Sequence, residues 1–106
     1  MLYRRAELLE NYEIETYTKA INKWGEKQLF VAIEEMSELQ KELCKALRGE
    51  VNVDHLAEEF ADVEIMLSQM LIYFKRFGLA PLVNVYKAYK LDRLNRRIEG
   101  WEDEPK

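Results

Sequence analysis

Four acidic residues at two matched spacings are the part of this chain that could do chemistry. Glu35 and Glu38 stand three apart in EEMSELQKE, and Glu59 and Asp62 stand three apart in EEFADVEIM. In a helix, residues three apart share a face, so each pair forms a two-carboxylate claw. If the two helices pack antiparallel, four carboxylates converge. Two unit charges 4 Å apart repel by about 4 kcal/mol at an effective dielectric near 20, so such a cluster calls for a divalent cation. Oxygen-only ligands in this number suit Mg²⁺, which keeps several waters and is commonly shared with substrate phosphates; Mn²⁺ could take its place. A carboxylate less engaged by the metal could activate a water, and Glu38 and Glu34 are the candidates for that role.

The surrounding sequence predicts helices to position these groups. The 106 residues suit one domain spanning 1–106, small enough for oligomerisation to add useful buried surface. With 48 % apolar and 34 % charged residues the chain has the composition of an amphipathic helical protein and not of a disordered one. Apolar spacing predicts a first helix from Leu2 to Trp24, interrupted near Tyr12 or divided in two. A second helix runs from Glu26 to about Leu47 with an inward stripe of Leu29, Ala32, Ile33, Met36, Leu39, Leu43 and Leu47. On a helical wheel Glu35 borders that stripe and Glu38 lies further out, with Glu42 between them.

A third helix, from about Asp54 to Phe77, carries Leu56, Phe60, Val63, Leu67, Met70, Leu71 and Phe74 on its inward face. Glu59 falls inside this apolar sector and Asp62 borders it, so Glu59 is costly to bury unless it is paired or binds a metal. The same helix is apolar almost all round, which predicts a central position or a shared subunit interface. A last helix from about Pro81 to Ile98 places Lys87 within its apolar stripe and Lys90 at its edge. The loops are short and no strand-period segment appears. The predicted fold is therefore all-α, an antiparallel bundle of four main helices completed by oligomerisation.

Composition also excludes several functions. A net charge of −4 argues against general nucleic-acid binding, which requires excess Lys and Arg. The apolar runs are too short for a membrane span, and MLYRRAELLENYE lacks the apolar block of a signal peptide. One cysteine, Cys44, allows no internal disulfide. These features together predict a cytoplasmic protein.

Trp24-Gly25, QLFVAIEEMSELQKEL, EEFADVEIML and KAYKLDRLNRRI together resemble the MazG-like all-α nucleoside triphosphate pyrophosphohydrolases, over roughly residues 15 to 98. The resemblance implies Mg²⁺-dependent hydrolysis of an NTP or dNTP to the monophosphate and pyrophosphate, in a homodimer or homotetramer. It implies Glu35, Glu38, Glu59 and Asp62 as metal ligands, Lys87, Lys90 and Arg93 as phosphate contacts, and Trp24 as a platform for the base. A Lys-then-Asn pattern found in the last helix of some relatives is not cleanly present, since Asn84 precedes Lys87 and Asn95 follows Lys90 by five.

Two other readings compete. A di-iron carboxylate bundle would use Glu-x-x-His, and His55 has Asn52 three residues before it. A non-catalytic helical module that oligomerises or binds a partner would keep the fold without the chemistry.

Overall fold

Glycines set the helix boundaries. Gly25 takes φ 53°, a left-handed value open to glycine at little cost, and its amide still donates to the Ile21 carbonyl at 2.8 Å, so the chain leaves one helix and enters the next within a few residues. Gly78, at φ 69°, plays the same part before the last helix. In this computed structural model, which describes residues 2–101, the elements are α1 (Leu2–Trp24), α2 (Lys27–Leu47), α3 (Val53–Tyr73) and α4 (Leu79–Arg96). A 3₁₀ turn, Lys75–Phe77, precedes α4, and a wider turn, Arg97–Trp101, follows it. No strand occurs among the described residues, and the fold is an all-α helical bundle. Among the described residues, no helix is long and apolar enough to cross a membrane.

The boundaries differ from the sequence expectation in three places. α1 is one continuous helix through Tyr12, because nothing between Leu2 and Trp24 breaks its backbone ladder. The side chains of Leu2, Ala6 and Leu9 fall outside those described, as do the side chain of Trp101 and the tail beyond it. α3 stops at Tyr73 and tightens into the 3₁₀ turn, so Phe77 lies outside the helix and exposed. α4 begins at Leu79, which puts Pro81 inside its first turn, where a missing amide hydrogen is tolerated. Asn52 caps α3: its Oδ1 accepts from the His55 amide at 3.1 Å.

The chain forms two compact units, residues 1–73 and 74–106. In the first, α2 and α3 make the most extensive pairing and α1 packs chiefly on α3. α3 is thus central in its unit, as its nearly all-round apolar character predicts. The pairing of α2 with α3 is antiparallel, since Gln28 near the start of one bonds Gln69 near the end of the other.

The faces turned inward match the expected ones only in part: Leu29, Ala32 and Leu39 of α2 and Leu56, Val63, Met70 and Leu71 of α3 are buried or half-buried. On α2, Ala32 is buried and Leu39 half-buried, but Ile33, Met36, Leu43 and Leu47 are exposed. The inward line runs through Gln28, Ala32, Glu35, Leu39, Glu42 and Ala46. On α3, Met66 and Gln69 are buried, while Phe60 and Leu67 stand in solvent. The reason is that both helices carry more apolar surface than one contact can cover, so periodicity alone does not choose the face.

Candidate metal centre

Three carboxylates converge between α2 and α3. Glu35, Glu59 and Asp62 each present an oxygen, and these atoms all lie within 4.8 Å of one another. Glu35 reaches the cluster because it shares the inward line of α2. Glu59 and Asp62, three apart on α3, meet it from the other side. Glu35 and Glu59 are half-buried, and Asp62 opens to solvent.

The electrostatics are those of anions held together. Burial pushes the Glu35 carboxyl above its ordinary value of 4.5, and the charges of Asp62 and Glu59 push it further. A hydrogen bond shared with Asp62 and the charge of Glu34 act in the same direction. Glu59 is raised by burial first, then by Asp62, Glu38, Glu42 and Glu58. One oxygen of Glu59, Oε2, is shut off from solvent and has no hydrogen-bond partner among the described residues. A buried, unpartnered carboxylate oxygen is unfavourable, and a cation would satisfy it.

Glu38, the fourth carboxylate of the expected cluster, is not among the three that converge. It lies at the flank of the inward line of α2, with Oε1 3.2 Å from Lys41 Nζ and its side chain half exposed. Its charge is still felt at Glu59. Glu42, one turn further along the inward line, is more buried than Glu38 and pairs with Lys45 at 3.2 Å. Glu34 is exposed. His55 is exposed and absent from the carboxylate cluster, so the histidine that a di-iron site of this type would need is not contributed here.

The expected phosphate-binding cations lie on α4. Lys87, Lys90 and Arg93 line a single cavity of about 550 Å³ together with Leu82, Val83, Tyr86 and Leu91. Sequence spacing alone brings these cations to one face of the helix. Trp24 ends α1, is 47 % exposed, and has Lys23 Nζ over its ring, 5.3 Å from the centroid.

Gln28 and Gln69 escaped the sequence reading. Gln28 Nε2 donates to Gln69 Oε1 at 2.6 Å, and the two residues are only 8 % and 5 % exposed. The available signal was spacing: Gln28 precedes Glu35 by seven residues and Gln69 follows Asp62 by seven. Compared with protein-family models, curated proteins and solved structures, the chain matches none.

Proposed function

We propose that the protein is a magnesium-dependent nucleoside triphosphate pyrophosphohydrolase of the MazG-like kind, with Glu35, Glu59 and Asp62 as the metal ligands. The observation that carries this reading is Glu59 Oε2, shielded and unpartnered within a cluster of three carboxylates. Three carboxylate oxygens are a suitable protein share for Mg²⁺ or Mn²⁺, whose remaining positions suit water and phosphate oxygens. When bound, the ion supplies charge neutralisation for the triphosphate and for the charge that develops as the anhydride breaks.

The chain's own residues do the rest. Glu38, exposed beside the cluster on α2, is the candidate to orient a water and take its proton. The water oxygen attacks the α-phosphorus, the bond from that phosphorus to the α,β-bridging oxygen breaks, and pyrophosphate leaves with the bond's electron pair. Lys87, Lys90 and Arg93 are the cations this reading assigns to phosphate oxygens, with Arg93 able to bind two oxygens at once. Trp24 offers the ring on which a base could stack. A nucleotide substrate agrees with the cytoplasmic location expected from the sequence.

An oligomer completes the proposal. Leu29, Ile33, Met36, Gln40, Leu43 and Leu47 follow one another on α2 at alternating spacings of four and three, the spacing of a coiled-coil seam. Ile33 is 60 % and Leu47 89 % exposed, so a homodimer or homotetramer would cover them. The same seam is the observation that favours the second reading, a helical module that assembles without catalysis.

Incubation with each NTP and dNTP in the presence of Mg²⁺, followed by pyrophosphate detection, tests the proposal. Release from at least one nucleotide, abolished by Glu59→Gln, is the expected result. No release from any of them, together with no Mg²⁺ binding by calorimetry, leaves the assembly module as the better reading.

A further inference from the structure

The cluster can form only if α2 and α3 stop sliding at one position, and most of the surface between them cannot dictate that position. The inward line of α2 offers Ala32, Leu39 and Ala46, small or flexible aliphatic residues that pack acceptably against more than one turn of a neighbouring helix. The carboxylates themselves repel and cannot hold the helices together without a cation. The short connection, residues 48–52, limits how far the helices can slide, and a further feature of the interface can select one alignment.

We infer that the buried Gln28–Gln69 amide pair is this register lock, and that the two glutamines are positioning residues for the carboxylate cluster. Gln28 lies one heptad before Glu35 on α2, and Gln69 lies one heptad after Asp62 on α3. In an antiparallel pair these offsets match, so the alignment that joins the amides sets Glu35 opposite Asp62, about 10 Å along the seam. The amides bond at 2.6 Å, and the Glu35, Glu59 and Asp62 oxygens lie within 4.8 Å of one another, both as this alignment requires.

A slip of one turn would place Gln28 against Met66 in one direction or Tyr73 in the other, leaving a buried amide without its partner. Buried polar groups in an otherwise apolar seam are well suited to selecting register, because every wrong alignment strands them. Gln69 Nε2 also points to Met66 Sδ at 3.5 Å, a weak contact that steadies the amide within its own helix.

The structural half of this inference stands on the amide pair, and its functional half rests on the metal-site reading above. The test separates them. In a Cys44→Ala background, spin labels are attached at Lys27→Cys and Ala57→Cys, two exposed positions on α2 and α3. Pulsed electron resonance then measures the distance between them in metal-free protein, and Mn²⁺ titration measures affinity.

The parent is expected to give one narrow distance. Gln28→Leu with Gln69→Leu keeps the seam filled and should retain helix content. The double variant is expected to broaden the distance or move it by about 5.4 Å, one helical turn. Mn²⁺ affinity should fall about tenfold or more, as when groups that orient metal ligands are removed. A distance unchanged in the double variant overturns the inference whatever the affinity does. A changed distance in a protein whose parent binds no Mn²⁺ supports the lock and overturns the metal reading. If the double variant loses cooperative unfolding, Gln28→Met carries the same test, because it keeps the unbranched stem and removes only the amide.

Discussion

Two seams run side by side along α2, and burial has been assigned to them in the opposite sense to their hydrophobicity. One runs through Gln28, Ala32, Glu35, Leu39, Glu42 and Ala46 and is turned inward. The other runs through Leu29, Ile33, Met36, Gln40, Leu43 and Leu47, is almost wholly apolar, and is mostly exposed. A helix folding only to hide apolar area would have turned the other way. The polar seam used within the chain holds groups that need specific partners: an amide for an amide and, on the proposed reading, a cation for the carboxylates. The apolar seam needs only to be covered, which a second copy of the same surface can do.

The largest effect should come from removing the charge at the centre of the polar seam. Glu59→Gln is expected to lower pyrophosphate release by at least a hundredfold, beyond the roughly ten- to hundredfold typical of residues that merely support metal ligands. The fold should survive, since the variant removes one of three mutually repelling anions. A folded, fully active Glu59→Gln variant would remove the metal from the polar seam and make its burial a packing matter only.

Next in size is the apolar seam. Ile33→Glu combined with Leu43→Glu places like charges on a surface that a partner copy would bury, and should convert the assembly to monomer by sedimentation. Helix content should hardly change, because these residues contribute little to burial within the chain. A parent protein already monomeric at high concentration would break the comparison at this point.

A smaller effect separates the seams by pH. Glu35 and Glu59 are both held above 4.5, chiefly by burial and then by neighbouring anions, so the folded chain binds more protons there than the unfolded chain does. Their contribution is present in full below 4.5 and is lost as pH rises through their raised native values. Metal-free protein is therefore expected to melt at lower temperature at neutral pH than just above 4.5, against any general trend from other groups. Mg²⁺ added at neutral pH should restore the lost stability, and Mg²⁺ added near the raised values should release protons. Buffer-dependent calorimetry reads both.

The smallest effect belongs to the flanking carboxylate. Lys41→Ala removes the partner of Glu38, an exposed pair three residues apart, and should cost no more than about 0.5 kcal/mol in chemical denaturation. Glu38→Gln should weaken Mg²⁺ binding less than Glu59→Gln does while lowering turnover, because Glu38 lies outside the three-carboxylate cluster. Equal losses of affinity would draw Glu38 into the ligand set.

How much of this was legible can be followed residue by residue. Glu59 could be singled out before any coordinates, since a carboxylate among Leu56, Phe60 and Val63 has few purposes other than binding a cation. The breaks between helices fall at Gly25, Gly49 and Gly78, all of which take positive φ. The place of Glu38 was not legible, because a spacing of three fixes a common face only to within the width of a side chain, and the crossing of α2 on α3 decides which of the pair arrives. The exposure of Phe60 and Leu67 was equally hidden, since α3 is apolar on more sides than its neighbours within the chain cover.

What the sequence by itself determined is the local chemistry: four helices, their breaks, carboxylates three apart, and Lys87, Lys90 and Arg93 on one face of α4. Each follows from backbone periodicity, which is a property of consecutive residues. Only the tertiary structure decided that the more polar seam of α2 faces α3, that Gln28 meets Gln69, and that Glu35, Glu59 and Asp62 come together while Glu38 turns to Lys41. Those outcomes depend on how two successive helices align across their interface. No periodicity within either helix contains that alignment; it is selected by which buried groups find partners.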